Sequence, residues 1–155
     1  MRKILFLLIS IFTFANTCFA NITNTDNQIS SFNDIKLNDF IYGVLYKKYD
    51  NNHYIQMKLL HTLNKRGYVV TLEDAQFITD ISKTYLPIRT SEVYCGFRQK
   101  FSIKLDNQTI DLLKNSNKLS IIVPFYKDGS DTFVKYQSID IPNNILDEWK
   151  QVINM

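Results

Sequence analysis

Cysteine is scarce in this chain of 155 residues: only Cys18 and Cys95 are present. Cys18 lies in a stretch expected to be removed, which leaves Cys95 without an intramolecular partner and excludes a disulfide framework. Histidine is equally scarce. His53 and His61 read as residues of one strand, and at about 3.3 Å per residue they stand about 26 Å apart, too far to share a metal. With no paired cysteines and no His-x-x-x-His helix, a zinc site lacks ligands. The four glycines form neither a phosphate-cradling loop nor a Gly-x-Ser-x-Gly elbow. No metal and no cofactor is expected. Charge of one sign is lacking too: 18 basic side chains face 15 acidic ones, for a net +3, so no large field draws the protein to nucleic acid.

The one long apolar run stands at the start. Met1, Arg2 and Lys3 precede Ile4 to Ala15, and Thr17-Cys18-Phe19-Ala20 follows, which is the order of a secretory signal. The run falls short of the roughly 20 apolar residues that span a bilayer. Small residues at Cys18 and Ala20 place peptidase cleavage after Ala20; an uncleaved anchor and lipidation at Cys18 are the alternatives. Loss of Arg2 and Lys3 leaves 16 basic against 15 acidic side chains. The expected product is exported to the periplasm or medium of a bacterium, with no transmembrane segment after cleavage. Residues 21–34, polar, amide-rich and without periodicity, read as a flexible tail. Residues 35–155 then form one globular domain, large enough for a single core.

Within that domain, Asp39 to Tyr49 and His53 to Leu63 flank Asp50-Asn51-Asn52 and read as a β-hairpin. Tyr68 to Val70 is a short strand. Leu72, Ala75, Ile78, Ile81, Ser82 and Tyr85 recur at spacings of three and four, which predicts a helix opened by Thr71 and Asp74 and ended by Pro87. Val93, Cys95, Phe97, Phe101, Ile103 and Leu105 share one parity, broken by Gln99, and predict a long half-buried strand. Asp106 to Lys114 reads as a short helix. Leu119 to Tyr126 is a strand that Pro124 pushes towards a sheet edge, and Thr132 to Ile141 is a strand with a bulge between Tyr136 and Ile139. A final helix carries an apolar stripe of Ile145, Leu146, Trp149, Val152 and Ile153. Together these predict an α+β fold, an antiparallel β-sheet of about five to six strands with two to three helices, with an all-β sandwich as the alternative.

Candidate chemistry is thin. Cys95 beside His53 or His61 offers a thiol nucleophile, but Cys95 shares its parity with Val93 and Phe97, which favours a small core residue. Glu73-Asp74 and Asp147-Glu148 suit helix starts better than a catalytic cleft. Tyr42, Tyr46 and Tyr49 read as core or rim. The candidate binding surface is the wet side of the long strand: Tyr94, Arg98, Lys100 and Lys104, extended by Tyr54, Gln56 and Lys58 if the hairpin pairs beside it. Aromatic rings and cations together suit another protein or an anionic envelope component. The sequence therefore points to an exported, non-catalytic binding or adaptor protein of the cell envelope. An inhibitor or immunity protein that neutralises a toxin or hydrolase is the alternative, and an envelope enzyme using Cys95 is a further one.

Overall fold

The computed structural model describes residues 22–25, 28–31, 35–37, 41–48, 50–59, 68–92 and 99–155. The expected signal peptide, Tyr49, His61, Tyr94, Cys95, Phe97 and Arg98 lie outside them.

Asp50, Asn51 and Asn52 make the turn that their chemistry predicts. Asn51 takes a positive φ of 63°, and the Asp50 carboxylate accepts from the Asn52 amide at 3.0 Å. That turn joins β4 (Ile41–Lys48) to β5 (His53–Leu59) as an antiparallel pair. Alternation along β5 is strict: His53, Ile55, Met57 and Leu59 are buried, and Tyr54, Gln56 and Lys58 are half-buried. The outer edge of β4 is paired as well. β1 (Thr23–Thr25), β2 (Gln28–Ser30) and β3 (Ile35–Lys36) lie there, β1 on β2 and both β2 and β3 on β4. Buried Ser31 extends the contact, donating its amide to the Leu45 carbonyl at 2.8 Å and accepting the Leu45 amide on its hydroxyl at 2.9 Å. The polar stretch read as a tail is thus strand in these parts, because its amides and hydroxyls satisfy an otherwise open sheet edge.

The expected helix over Leu72–Tyr85 is a hairpin instead, β7 (Asp74–Thr79) and β8 (Lys83–Glu92). Thr79 builds its turn. Its hydroxyl accepts from the amides of Ile81 and Ser82 at 3.1 and 3.0 Å and donates to the Ser82 carbonyl at 3.0 Å. Burial follows period two, with Ala75 and Phe77 inside, so the helical stripe of Leu72, Ile78, Ile81 and Tyr85 is the exposed surface. Pro87 ends no helix: it faces Asp74 in the last pair of the β7–β8 ladder, and beyond it β8 changes partner to β9 (Gln99–Lys104).

That pairing also corrects the long strand expected over Val93–Leu105. Glu92 and Lys100 stand opposite each other in an antiparallel ladder, so β8 and β9 run in opposite directions, and residues 93–98 of the expected strand lie outside the described residues. Within β9, Phe101 and Ile103 are fully buried, as their parity requires. The break in parity at Gln99 has a purpose, because this residue is 2% exposed and its carboxamide grips β6 (Tyr68–Val70). It accepts the Val70 amide at 2.7 Å and donates to the Val70 carbonyl at 2.5 Å.

Asp106 caps α1 (Asn107–Asn115) by accepting the Thr109 amide at 2.7 Å. β10 (Leu119–Lys127) follows and pairs with β11 (Phe133–Ile141) along one side. On its other side β7 takes Leu119 to Ile122 and β6 takes Phe125 to Lys127. Pro124 therefore sits inside a central strand, at the gap between two partners where no amide is demanded on that side. The β10–β11 register shifts between Phe125 and Tyr126, whose partners are Lys135 and Phe133. The bulge is therefore at Val134, earlier than the parity slip suggested.

The last element is α2 (Asn143–Asn154), which buries Ile145, Leu146, Trp149, Val152 and Ile153 as its stripe predicts. Trp149 is fully buried against β4, where Gly43 makes room. A Cβ there would lie 3.8 Å from the indole and 2.5 Å from Leu37 Cδ1. Asp147 and Glu148 fall in the second turn rather than the first, and Asp147 lies 3.9 Å from the Lys150 ammonium. Among the described residues, eleven strands run in the order β1-β2-β4-β5-β9-β8-β7-β10-β11, with β3 on β4 and β6 on β10. With two helices among the described residues, this is a mostly antiparallel, sheet-rich fold with more strands than the sequence led us to expect.

Candidate functional site

Of the four residues expected to form a binding surface, Lys100 and Lys104 are described and Tyr94 and Arg98 are not. The anticipated extension is present in the register: Lys104 faces Tyr54, Ser102 faces Gln56, and Lys100 faces Lys58 across β5 and β9. Lys48 adds its ammonium 5.1 Å from the Tyr54 ring centroid. The row is not open throughout, because Ser102 in its middle is buried and Lys100 is half-buried. Among the described residues, no group of three His, Cys, Asp or Glu side chains is placed to hold a metal, and no helix is long and apolar enough to cross a membrane.

A more open site lies across the other half of the sheet, on the face opposite the core. There the register builds the cross-strand row Tyr85–Gln76–Ile122–Ser138 over β8, β7, β10 and β11. Beside it Tyr136 stands opposite Pro124. Between Tyr85 and Tyr136 opens a cleft of about 700 Å³ lined by Glu73, Asp74, Gln76, Tyr85, Ile122 and Tyr136. The two tyrosines are 54% and 68% exposed, unusual values for side chains with so much apolar surface.

Both walls are held in place. Gln76 donates to the Tyr85 hydroxyl at 2.9 Å, and Lys83 sits 5.1 Å from the Tyr85 ring centroid. Hydrogen bonding from Lys83, then Gln76, lowers the Tyr85 pKa below the ordinary phenol value. On the opposite wall, Tyr136 packs against Phe133 with centroids 5.0 Å apart, and Phe133 against Tyr126 at 5.7 Å. Tyr126 in turn donates to the Glu73 carboxylate at 2.5 Å, and that bond chiefly pushes the Tyr126 pKa up to about 12. Glu73 is anchored through its backbone too, its carbonyl accepting the Ile88 amide at 3.0 Å. The carboxylates read as a helix start instead form the rim of a cleft.

None of the six lining residues was singled out as a site from sequence, because the helical spacing of Ile78, Ile81 and Tyr85 pointed them inward. Apolar residues on both parities around Tyr136 gave no such signal, because they ordinarily mark a strand buried on both faces, whereas residues 133–136 are exposed.

His53 is the other polar group in an unusual setting. It is 6% exposed, and neither ring nitrogen completes a hydrogen bond with a described residue. Burial, then the charge of Lys47, lowers its pKa, while backbone groups of Asn51 and Ile153 oppose the shift.

No protein-family model matches the chain, and no curated protein does. Among solved structures, the chain is similar to the crystal structure of invasion associated protein B from Bartonella henselae. The TM-score is 0.53 at 10% identity, over 86% of this chain and 90% of that one. At that identity the likeness is one of fold alone.

Proposed function

We propose that this chain is an exported, non-catalytic binding protein of the bacterial cell envelope, and that it grips its partner through the cleft between Tyr85 and Tyr136. The observation that carries this reading is the pair of exposed tyrosines flanking a cleft whose walls are already braced by Gln76, Phe133 and Tyr126. Tyrosine supplies a large, flat, amphipathic contact at little conformational cost, which is why it concentrates at recognition surfaces. Ile78, Phe133 and Val134 are exposed as well, so apolar area is offered beyond the cleft itself. Export is supported by the leader-like order of residues 1–20. The basic positions Lys100 and Lys104 supply a second, charged contact to an anionic component.

The test is a photo-reactive benzoylphenylalanine placed at position 136 in the full chain, expressed in its native cell. Irradiation should yield a discrete adduct in the envelope fraction from position 136. No adduct, or one formed only from the same probe at exposed Lys104, contradicts the assignment.

A further inference from the structure

The charged residues that line the cleft, among those described, are acidic: Glu73 and Asp74. Lys83 stands at the Tyr85 wall, its ammonium 5.1 Å from the ring centroid, and lines a neighbouring depression with Gln108 and Asp111. We infer that the cleft binds an arginine side chain presented by a protein partner. This rests on the cleft being the binding site and names what enters it.

Three features favour a guanidinium. Tyr85 and Tyr136 place aromatic rings on the two walls, and a flat, weakly hydrated cation stacks on aromatic rings better than an ammonium does. The Glu73 carboxylate is preorganised, one oxygen held by the Tyr126 hydroxyl and its backbone by Ile88, so little ordering remains when a fork of N–H donors arrives. Ile122 forms an apolar floor between them, suited to the methylene stem of a long basic side chain. A carboxylated glycan, by contrast, would meet the two lining carboxylates.

The experiment titrates protein purified from cells expressing the full chain with acetylated tetra-arginine amide, followed by amide chemical shifts. Shifts should centre on Gln76, Tyr85, Ile122 and Tyr136. Tetra-citrulline, the neutral isostere, and tetra-lysine should each bind at least tenfold more weakly. Glu73→Gln with Asp74→Asn should weaken tetra-arginine binding at least tenfold, with an unchanged melting temperature confirming the fold. Equal binding of tetra-citrulline, or no loss in the carboxamide variant, overturns the inference; equal binding of tetra-lysine overturns the choice of guanidinium. Tyr85→Ala with Tyr136→Ala separates the two levels. If it abolishes the envelope adduct formed from a probe at exposed Phe133 and the carboxamide variant preserves it, the cleft stands as the binding site and arginine does not. If neither variant affects that adduct, both readings fall.

Discussion

Gln99 shows how a single polar residue can look like noise in a strand and be a structural anchor. Its carboxamide closes both hydrogen bonds to the Val70 backbone inside the core. Leucine fills similar space without those bonds and leaves a buried amide and carbonyl short of a partner, so Gln99→Leu should cost about 2 kcal/mol or more in denaturant unfolding. His53 gives a prediction of opposite character, in pH rather than packing. Its folded pKa is lowered, so the unfolded state binds the proton more readily. The stability it contributes is complete above the unfolded value of about 6.5 and falls as pH drops towards the folded value. Melting temperature should decline from pH 7 to pH 5, and His53→Leu should flatten that decline; an unchanged slope would rule out His53 as its source. Assigning Tyr54, Gln56 and Lys58 to the wet side left His53 on the opposite parity. Its setting was not legible, because the groups around the ring, from Lys47 and Asn51 to Ile153, are brought together only by the fold.

At the scale of elements, several readings that rested on one local signal held, and one where two signals competed failed. The Asp50-Asn51-Asn52 turn, the short helix after Asp106 and the stripe around Trp149 each had one interpretation, and all three are present. The segment 71–85 had two. Residues spaced at three and four mimicked a helical face, whereas the alternation of Ala75 with Phe77 extended over only a few positions. The hairpin prevails because β10 offers β7 a ladder through Leu119 to Ile122, a partner distant in sequence. Stability measurements separate the two readings. In the hairpin Phe77→Ala should cost about 3–5 kcal/mol and Ile78→Thr no more than about 0.5 kcal/mol; a helical segment would reverse that order. Pro124 follows the same logic, as an edge signal that became a central position once β6 and β7 divided one flank of β10.

At the scale of the whole molecule, charges of opposite sign gather at two places on the sheet, although Lys83, Lys127 and Lys135 also stand on the half that carries the cleft. Lys48, Lys58, Lys100 and Lys104 fall on β4, β5 and β9, and Glu73 and Asp74 at the cleft on the other half of the sheet. Composition reports the sum and hides this division, which is why a basic surface was legible from one strand and an acidic cleft assembled from four strands was not. Salt should weaken contacts on both surfaces, so ionic strength alone does not tell them apart. The direct test of a binding role is recovery of envelope proteins on immobilised protein carrying Tyr85→Ala and Tyr136→Ala, set beside Lys100→Gln and Lys104→Gln. The account predicts that removing the two tyrosines lowers recovery at least tenfold with the melting temperature unchanged, and that the lysine pair lowers it less. Full recovery without the tyrosines would contradict it.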